Sequence, residues 1–273
     1  VRRPGRGGAP SRLSPLLGAL VLGAALLPGN GFADLEAIRA SGRLRVLVVQ
    51  RADEFYRVSP EGDSGFDREI LEGFARRAGL RLETIPVDGW DQVFEALFKG
   101  QGDVIAGHLT ATEARRKRMA FTDEVFPSRH VVVTYRPHRI IQNLEELRRE
   151  KVGTVRGTSM EELIREAGVP PSNVHEVPIG SLPDQLRAGR VTATVFGVEG
   201  AIVWRRSDPN IQIGAFIGPP QSLAYAVREE DVALRTALNE HIRAIRSSRR
   251  WSMLVAKYFG SEATEILRRA REK

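Results

Sequence analysis

The sequence predicts an α/β fold made of two similar units. Strand-like and helix-like segments alternate along the chain, beginning with the β-branched run Arg43–Val49 and the amphipathic stretch Arg68–Ala78. A second alternating set starts at Lys151–Val155, and no polar linker long enough to tether independent domains separates the two sets. Such alternation is typical of mostly parallel sheets covered by helices. We therefore expect two α/β units in close contact.

The first unit follows a βαβαβ order that begins with the strand Arg43–Val49. Arg68–Ala78 carries apolar residues at the spacing of one helix face, and Gly79 ends this helix. The strand Leu80–Val87, the helix Trp90–Phe98 and the strand Asp103–Ala106 follow. This order predicts a mainly parallel first sheet.

The second unit and the C-terminal region continue the pattern. Ser159 and Glu162 have the spacing of a capping box, which predicts a helix start at Ser159. The predicted elements are strand Lys151–Val155, helix Ser159–Ala167, helix Leu182–Ala188, strand Arg190–Phe196 and the C-terminal helices Val232–Arg246 and Trp251–Tyr258.

The first 33 residues have the pattern of a secretory leader. Four arginines precede the acid-free apolar run Leu13–Leu27, and Gly31-Phe32-Ala33, which has small residues at its first and third positions, comes before Asp34. The apolar run is about 15 residues long, whereas a membrane-spanning helix needs roughly 20. We therefore expect a signal peptide over residues 1–33 that is cleaved after Ala33 and a periplasmic mature protein, although a retained anchor would begin similarly.

The charge balance gives little support for a nucleic-acid partner. Without the four leader arginines, the 41 basic residues fall to 37, against 34 acidic residues. The chain has no cysteine, which excludes a disulfide framework and a lipoprotein anchor. Its five histidines have no metal-binding spacing, and no nucleotide-binding or nucleophile motif occurs. We expect no cofactor and no metal.

The stretch HLTATEARRKRMAFTDE, residues 108–124, contains the strongest candidate for ligand binding. Thr112 precedes a short helical turn and is a candidate N-cap, which places Arg115 toward the crevice beyond the strand ends, where ligands bind in α/β sheets. The basic residues at positions 116–118 then point elsewhere. A guanidinium can bind a carboxylate through two parallel hydrogen bonds. On spacing alone, a solvated basic turn is the other interpretation.

Several motifs occur in an order that resembles the family 3 bacterial solute-binding proteins of amino-acid ABC importers. The motifs are Gly65-Phe66-Asp67, WDQVFEALFKGQGDVIAG at residues 90–107, Thr112–Arg115 with Phe121–Asp123, Val152-Gly153 with Gly157-Thr158-Ser159, Gly189-Arg190, and KYFG at residues 257–260. The resemblance covers nearly all of residues 34–260. It implies a two-lobed periplasmic binding protein fold of type II, in which the second lobe, residues 130–223, is inserted into the first, residues 34–129 and 224–273.

The resemblance also implies a binding site between the lobes. Arg115 would bind the carboxylate of the ligand with help from Thr110, and Thr158 and Ser159 would add the N-terminus of a helix, which suits an anion. His108 would lie in the cleft wall. The aromatic residues Phe55 and Tyr56 would stack on the ligand or, as an equal alternative, pack in the lobe.

One position departs from the family pattern. The family has an Asp that pairs with the ligand's ammonium a fixed distance after the Gly-Arg pair, and here that position is Gly197. Glu199 follows two residues later and is a candidate substitute, although it would need a different loop path. Because an unpaired buried ammonium is costly, a carboxylate without an amino group is a possible ligand as well.

The sequence therefore predicts a monomeric solute-binding protein that delivers a small carboxylate, such as an amino acid, to an ABC permease in the inner membrane. Two alternatives remain open. One is an enzyme on the same scaffold, resembling the cyclohexadienyl dehydratases, with Glu199 as the acid. The other is a sensory or regulatory module resembling the binding domains of some lytic transglycosylases.

Overall fold

The computed structural model describes residues 35–50 and 65–260, together with residues 263, 268, 270 and 271. The predicted leader with its cleavage site after Ala33, and the aromatic pair Phe55 and Tyr56, lie outside the described residues.

Helices and strands alternate along the described chain. The strands are β1 (Arg43–Val49), β2 (Arg81–Val87), β3 (Val104–Ile105), β4 (Ala120–Phe121), β5 (Phe126–Tyr135), β6 (Val152–Thr154), β7 (Val174–Glu176), β8 (Ala193–Gly197), β9 (Ile211–Leu223) and β10 (Ala226–Val227). The helices are α1 (Leu35–Ser41), α2 (Phe66–Arg77), α3 (Trp90–Phe98), α4 (Glu113–Arg116), α5 (Leu144–Leu147), α6 (Ser159–Glu166), α7 (Leu182–Arg187), α8 (Val198–Ser207), α9 (Val232–Arg246) and α10 (Arg249–Phe259). None of the described helices combines the length and the apolar character that crossing a membrane requires.

The described strands form two mixed sheets. The first has the order β2-β1-β3-β10-β4, with β1 parallel to β2 and β3, and β10 antiparallel to its neighbours. The second has the order β7-β6-β8-β5-β9, with β6 parallel to β7 and β8. The chain passes from the first sheet into the second through β5 and returns through β9. The predicted α/β fold with an inserted second lobe is therefore confirmed.

Two long antiparallel strands connect the sheets. β5 and β9 pair from Phe126 opposite Leu223 to Tyr135 opposite Ile211. The first-sheet end of this ribbon is fixed by a bridge between Thr110 and Leu223. β5 runs continuously through the expected lobe boundary at 129/130, and β9 ends at the other boundary, 223/224, so those exact boundaries remain a prediction.

Burial on both faces explains the continuous apolar run of β1. Leu44, Val46 and Val48 pack into the cluster that α2, α9 and α10 cover, whereas Leu47 and Val49 pack into the cluster that α3 covers. Strands buried on both faces lose the polar alternation of half-exposed strands. Full burial of each such side chain stabilises the fold by about 1.5–3 kcal/mol.

Two local predictions need correction. The strand expected at Arg190–Phe196 begins only at Ala193, because the backbone amides of Arg190 and Val191 donate to the carbonyl of Gln185 in α7 instead of a neighbouring strand. The capping box lies one residue earlier than predicted, since Ser159 is already helical. The sequence analysis also missed β5, β9 and α8, whereas it predicted α3 and α9 with their observed bounds.

Thr158 is the residue that caps α6. Its hydroxyl accepts from the amide of Glu161 at 3.2 Å and donates to the carbonyl of Val155 at 2.7 Å. The Glu161 carboxylate in turn accepts from the amide of Gly157 at 2.7 Å. The bond to the Glu161 amide satisfies one of the donors that a helix start leaves without an intrahelical partner, and the other two bonds fix the chain before the helix.

Replacing Thr158 with alanine is expected to lower the free energy of unfolding by about 1 kcal/mol, because the cap is lost. Urea denaturation of the ligand-free protein measures this change. Thr158→Ser retains the hydroxyl and serves as the control, which should lose much less stability. Equal losses in the two variants would mean that the methyl group, and not the cap, is responsible.

Candidate functional site

A cavity of about 70 Å³ lies between the two sheets. Gly107, His108 and Thr110, which follow β3 in the first sheet, form part of its wall together with Trp90 of α3. Most of the remaining lining residues belong to the second sheet, its helices and its loops. This position matches the expected crevice beyond the carboxyl end of a strand. A single water molecule occupies roughly 10–15 Å³ of such a cavity, so the cavity has room for a small solute.

The cavity wall has a polar and an apolar part. The polar side chains are His108, Thr110, Ser128, His130, Thr158 and Glu199. The apolar part includes Trp90, Met160, Leu182, Phe196 and Trp204. Phe196 and Trp204 stack on each other with ring centroids 4.0 Å apart. Apolar walls with a few placed polar groups are typical of small-molecule sites.

Arg115 lies beside the cavity and joins the two lobes. The predicted cap is confirmed, because the hydroxyl of Thr112 accepts from the amide of Arg115 at 3.3 Å. The Arg115 side chain is buried, whereas its basic neighbours at positions 116–118 are exposed. Its Nη1 donates to the carbonyl of Thr110 at 2.9 Å, and its Nη2 donates to the carbonyl of Gly157 at 3.0 Å.

The guanidinium of Arg115 is buried beside two aromatic rings. Its guanidinium carbon lies 5.8 Å from the ring centroid of Trp90 and 5.2 Å from that of Phe94. Burial lowers the pKa of Arg115 to about 10, so the side chain stays protonated at neutral pH. The sequence analysis assigned Trp90 to the core, and the structure gives it a core position that also forms part of the cavity wall and contacts Arg115.

Ser159 and Thr110 form a second contact between the lobes. The Ser159 hydroxyl donates to Thr110 Oγ1 at 3.1 Å. The neighbouring His130, on β5, has its Nε2 3.3 Å from the same Ser159 oxygen. His130 was not among the predicted site residues, because the sequence analysis did not identify β5. The run His130–Thr134, which is rich in valine, was the available signal for that strand.

His130 is held in its neutral form. Burial, and secondarily the charge of Arg115, lowers the pKa of His130 to about 4. Its Nδ1 has no hydrogen-bond partner within the described residues. A neutral imidazole carries one donor and one acceptor nitrogen, so this residue adds polarity to the wall without adding charge.

Glu199 contributes a buried carboxylate to the wall. It makes a short hydrogen bond with the hydroxyl of Ser128, and its Oε1 lies 3.6 Å from His108 Nδ1. Ser128 is a second residue that the sequence analysis missed. Nothing in the local sequence around Ser128 indicates its role, because its partner is 71 positions away.

The loop that carries His108 is fixed by Asp67, from the predicted Gly-Phe-Asp motif. His108 has a φ of 66°, which is uncommon for a residue with a side chain. The Asp67 carboxylate accepts from the amides of Gly107 and His108 at 3.1 and 3.2 Å, and from the Tyr225 hydroxyl at 3.0 Å. Burial is the main cause of the raised pKa of Asp67. The motif therefore holds the cavity wall in place.

Comparison with known proteins identifies the family. The family model of the bacterial extracellular solute-binding proteins, family 3, matches residues 44–261. The chain belongs to this family. Within the described residues of this family 3 protein, no group of three or more His, Asp or Glu side chains is arranged to hold a metal ion.

The similar proteins include lytic transglycosylases and an amino-acid-binding protein. The chain is 27% identical over 231 residues to a membrane-bound lytic murein transglycosylase F of Desulfosudis oleivorans. The match covers 83% of this chain and 50% of the relative. It is 25% identical to a probable histidine-binding protein of Neisseria gonorrhoeae, over 72% of this chain and 75% of the relative. This family 3 protein thus spans about half the length of the transglycosylases that it matches.

The fold also resembles solved structures. A crystal structure of a mutant of ArgBP from T. maritima superimposes with a TM-score of 0.74 and 25% sequence identity, and the match covers 83% of this chain and 99% of that one. The comparison supports a solute-binding role for this family 3 protein.

Proposed function

We propose that this protein captures a small amino acid or a related carboxylate in the periplasm and delivers it to an ABC permease in the inner membrane. It acts as a monomer after cleavage of the leader behind Ala33. The observation that carries the proposal is the cavity between the two sheets, whose polar groups come from both lobes.

Arg115 would bind the ligand's carboxylate. A guanidinium has five N–H donors, and the contacts to the carbonyls of Thr110 and Gly157 use two of them. A carboxylate at the edge of the cavity could take over the contact with Gly157 and form a charge-assisted pair. Thr110, Thr158 and Ser159 would add hydrogen bonds beside the N-terminus of α6, where the helix dipole favours an anion.

The remaining groups would bind the rest of the ligand. Glu199 would accept from an amino group, and His108 would line the same part of the cavity. Phe55 and Tyr56, outside the described residues, would stack on the side chain of the ligand. Binding by both lobes favours the closed arrangement and traps the ligand.

Thermal denaturation in the presence of candidate ligands tests this function. A ligand that binds only the folded protein at 100 times its Kd adds about 2.7 kcal/mol to the free energy of unfolding. We expect at least one amino acid to raise the melting temperature, whereas unrelated dicarboxylates should not. Absence of any shift with all amino acids and with their hydroxy-acid analogues would contradict the proposal. Uptake of the labelled amino acid by cells with and without the gene tests delivery to a permease.

A regulatory binding module is the second candidate function. The similarity to membrane-bound lytic murein transglycosylase F over 83% of this chain is the observation that favours it. In that case the ligand would be a fragment of murein. A thermal shift with muropeptides and none with free amino acids would favour this function over transport.

The enzyme alternative depends on Glu199, which is buried in the cavity wall as an acid in a dehydratase site would be. Incubation with prephenate or arogenate, followed by detection of the aromatic product, tests it. Formation of product that Glu199→Gln abolishes would replace the binding function with a catalytic one.

A further inference from the structure

One part of the cavity wall is continuous and apolar. Val155, Ile179, Leu182, Phe196 and Trp204 of the second lobe line the cavity and belong to a single hydrophobic cluster. Trp90 of the first lobe lines the cavity as well and belongs to the same cluster. These six side chains form the apolar wall. Ile179, Phe196 and Trp204 are only half-buried, so part of their surface is available to a ligand.

The polar side chains of the cavity, in contrast, already bond one another or the backbone. The Thr110 hydroxyl accepts from Ser159, and the Ser128 hydroxyl bonds Glu199. The Thr158 hydroxyl accepts from an amide and donates to a carbonyl of its own segment. All five residues are buried. The protein itself therefore uses much of the polar wall, and most of the surface that is left for a ligand is apolar.

The Phe196 ring lies against the backbone of α8. It stacks on Trp204 with an interplanar angle of 19°. A Cβ atom added at Gly200 would lie 2.4 Å from Cε1 and 3.0 Å from Cδ1 of this ring. Gly200 and Trp204 are one helical turn apart and share a face of α8. The ring can take this place only because position 200 has no side chain.

The backbone does not require a glycine at position 200. Gly200 is the third residue of α8, and it is not among the glycines with a positive φ. Glycine inside a helix is less favourable than alanine. The close approach of the Phe196 ring is therefore the physical reason for a glycine here.

The apolar wall favours an apolar group of a ligand. Contact with such a group removes apolar surface of both partners from water. An amide or a cation would lose its hydration at this wall, which offers the indole N–H donors of two tryptophans and no hydrogen-bond acceptor. The wall therefore distinguishes an apolar substituent from a polar one of equal size.

We propose that the apolar wall binds an uncharged apolar substituent of the carboxylate ligand, and that Gly200 sets the space for it by letting the Phe196 ring lie against α8. The inference rests on the proposed function and adds the chemistry of the part of the ligand beyond its carboxylate. Gly200 acts through Phe196 and is a positioning residue.

Isothermal titration of the natural protein with L-leucine and L-asparagine tests the ligand class. The two side chains have the same number and branching of non-hydrogen atoms, but one ends in two methyl groups and the other in a carboxamide. L-leucine is expected to bind about 30-fold or more tightly than L-asparagine. Equal or tighter binding of L-asparagine would overturn the inference and leave the binding function standing.

Gly200→Ala tests the positioning role. We expect this variant to bind L-leucine about tenfold more weakly, because the displaced ring narrows the cavity. Binding of L-alanine, whose side chain is a single methyl group, should stay within about twofold. Adding Gly200→Ala to Phe196→Leu should change the affinity for L-leucine little, since the ring is then absent. Unchanged binding of L-leucine, or equal weakening for both probes, in Gly200→Ala would overturn the role of Gly200.

Gly73→Ala is the matched control. Gly73 also lies inside a helix, α2, and it does not line the cavity. A Cβ atom added there would meet the His241 ring at 3.4 Å, which is an ordinary contact. This variant should keep the affinities for L-leucine and L-alanine. Thermal denaturation of each ligand-free variant shows whether the fold is retained.

Failure of the inference and failure of the proposed function give different results. If L-leucine does not bind while another amino acid raises the melting temperature, the inference is overturned and the binding function stands. If no amino acid and no hydroxy-acid analogue raises the melting temperature, the proposed function is contradicted as well.

Discussion

Replacing Arg115 with alanine is expected to weaken binding of the amino acid that gives the largest thermal shift by at least about 30-fold. Loss of one partner of a buried, hydrogen-bonded charge pair costs about 2–5 kcal/mol, and every 1.4 kcal/mol is a factor of ten in Kd. Isothermal titration measures the change. Arg115→Lys keeps the charge but loses the fork geometry, so its binding should fall between that of the alanine variant and that of the natural protein.

The neighbouring Arg116 provides a matched control. It lies on the same short helix and carries the same charge, but its side chain is exposed and donates to the carbonyl of Ala111 at 3.2 Å. Arg116→Ala should leave the Kd within about twofold, since exposed charges contribute little. A thermal shift of unchanged size in Arg115→Ala would remove Arg115 from the site.

Arg115→Ala is also expected to lower the stability of the ligand-free protein. The side chain donates to the carbonyl of Thr110 in the first lobe and to that of Gly157 in the second. Both oxygens lose the hydrogen bond from Arg115 in the variant. A lost hydrogen bond to a charged group costs about 1.5–3 kcal/mol. Binding and stability therefore have to be measured separately in this variant.

Acidification is expected to destabilise the protein through His130. Burial lowers its pKa from 6.5 to about 4, so between these values the unfolded chain binds more protons than the folded one. Stability is therefore fully present above pH 6.5 and is lost as the pH falls toward 4. With 1.36 kcal/mol for each pKa unit, the total loss from this residue is about 3 kcal/mol, of which about 2 kcal/mol is lost by pH 5.

Urea denaturation at pH 7.5 and pH 5 measures this loss as the difference between the natural protein and His130→Gln. The raised pKa of Asp67 acts with the opposite sign, but both proteins carry Asp67, and its contribution cancels. His175, an exposed histidine, is the control, and His175→Gln should keep the pH dependence of the natural protein. Equal slopes for His130→Gln and the natural protein would contradict a buried neutral His130.

The local elements of this protein could be predicted because their causes lie within a few residues. The apolar spacing of Trp90–Phe98 fixes one helix, and the hydroxyl of Thr112 caps the short helix of Arg115. Ordered motifs over most of the chain also predicted the family. The same local reasoning missed β5 and β9, since a strand that connects two sheets pairs with residues about 90 positions away.

The candidate site was only partly predictable for the same reason. His108, Thr110, Thr158 and Glu199 were named from the sequence and line the same cavity, whereas Ser128 and His130 also line it and were not named. Arg115 was expected to face the ligand, and only the fold shows that its donors reach the carbonyls of both lobes. The position of the Glu199 carboxylate depends on Gly197, because a side chain at position 197 would overlap with that carboxylate.

The sequence by itself determined the α/β class, most helix limits and the Thr112 cap before Arg115, because periodicity and capping act over a few residues. The tertiary structure alone decided which polar groups share the cavity and which partner each one has. Those contacts join segments that are 40 to 70 residues apart. The bonds from Arg115 to Gly157 and from Ser159 to Thr110 form only when the two lobes come together, whereas the bond between Ser128 and Glu199 needs β5 and β8 to pair in the second sheet.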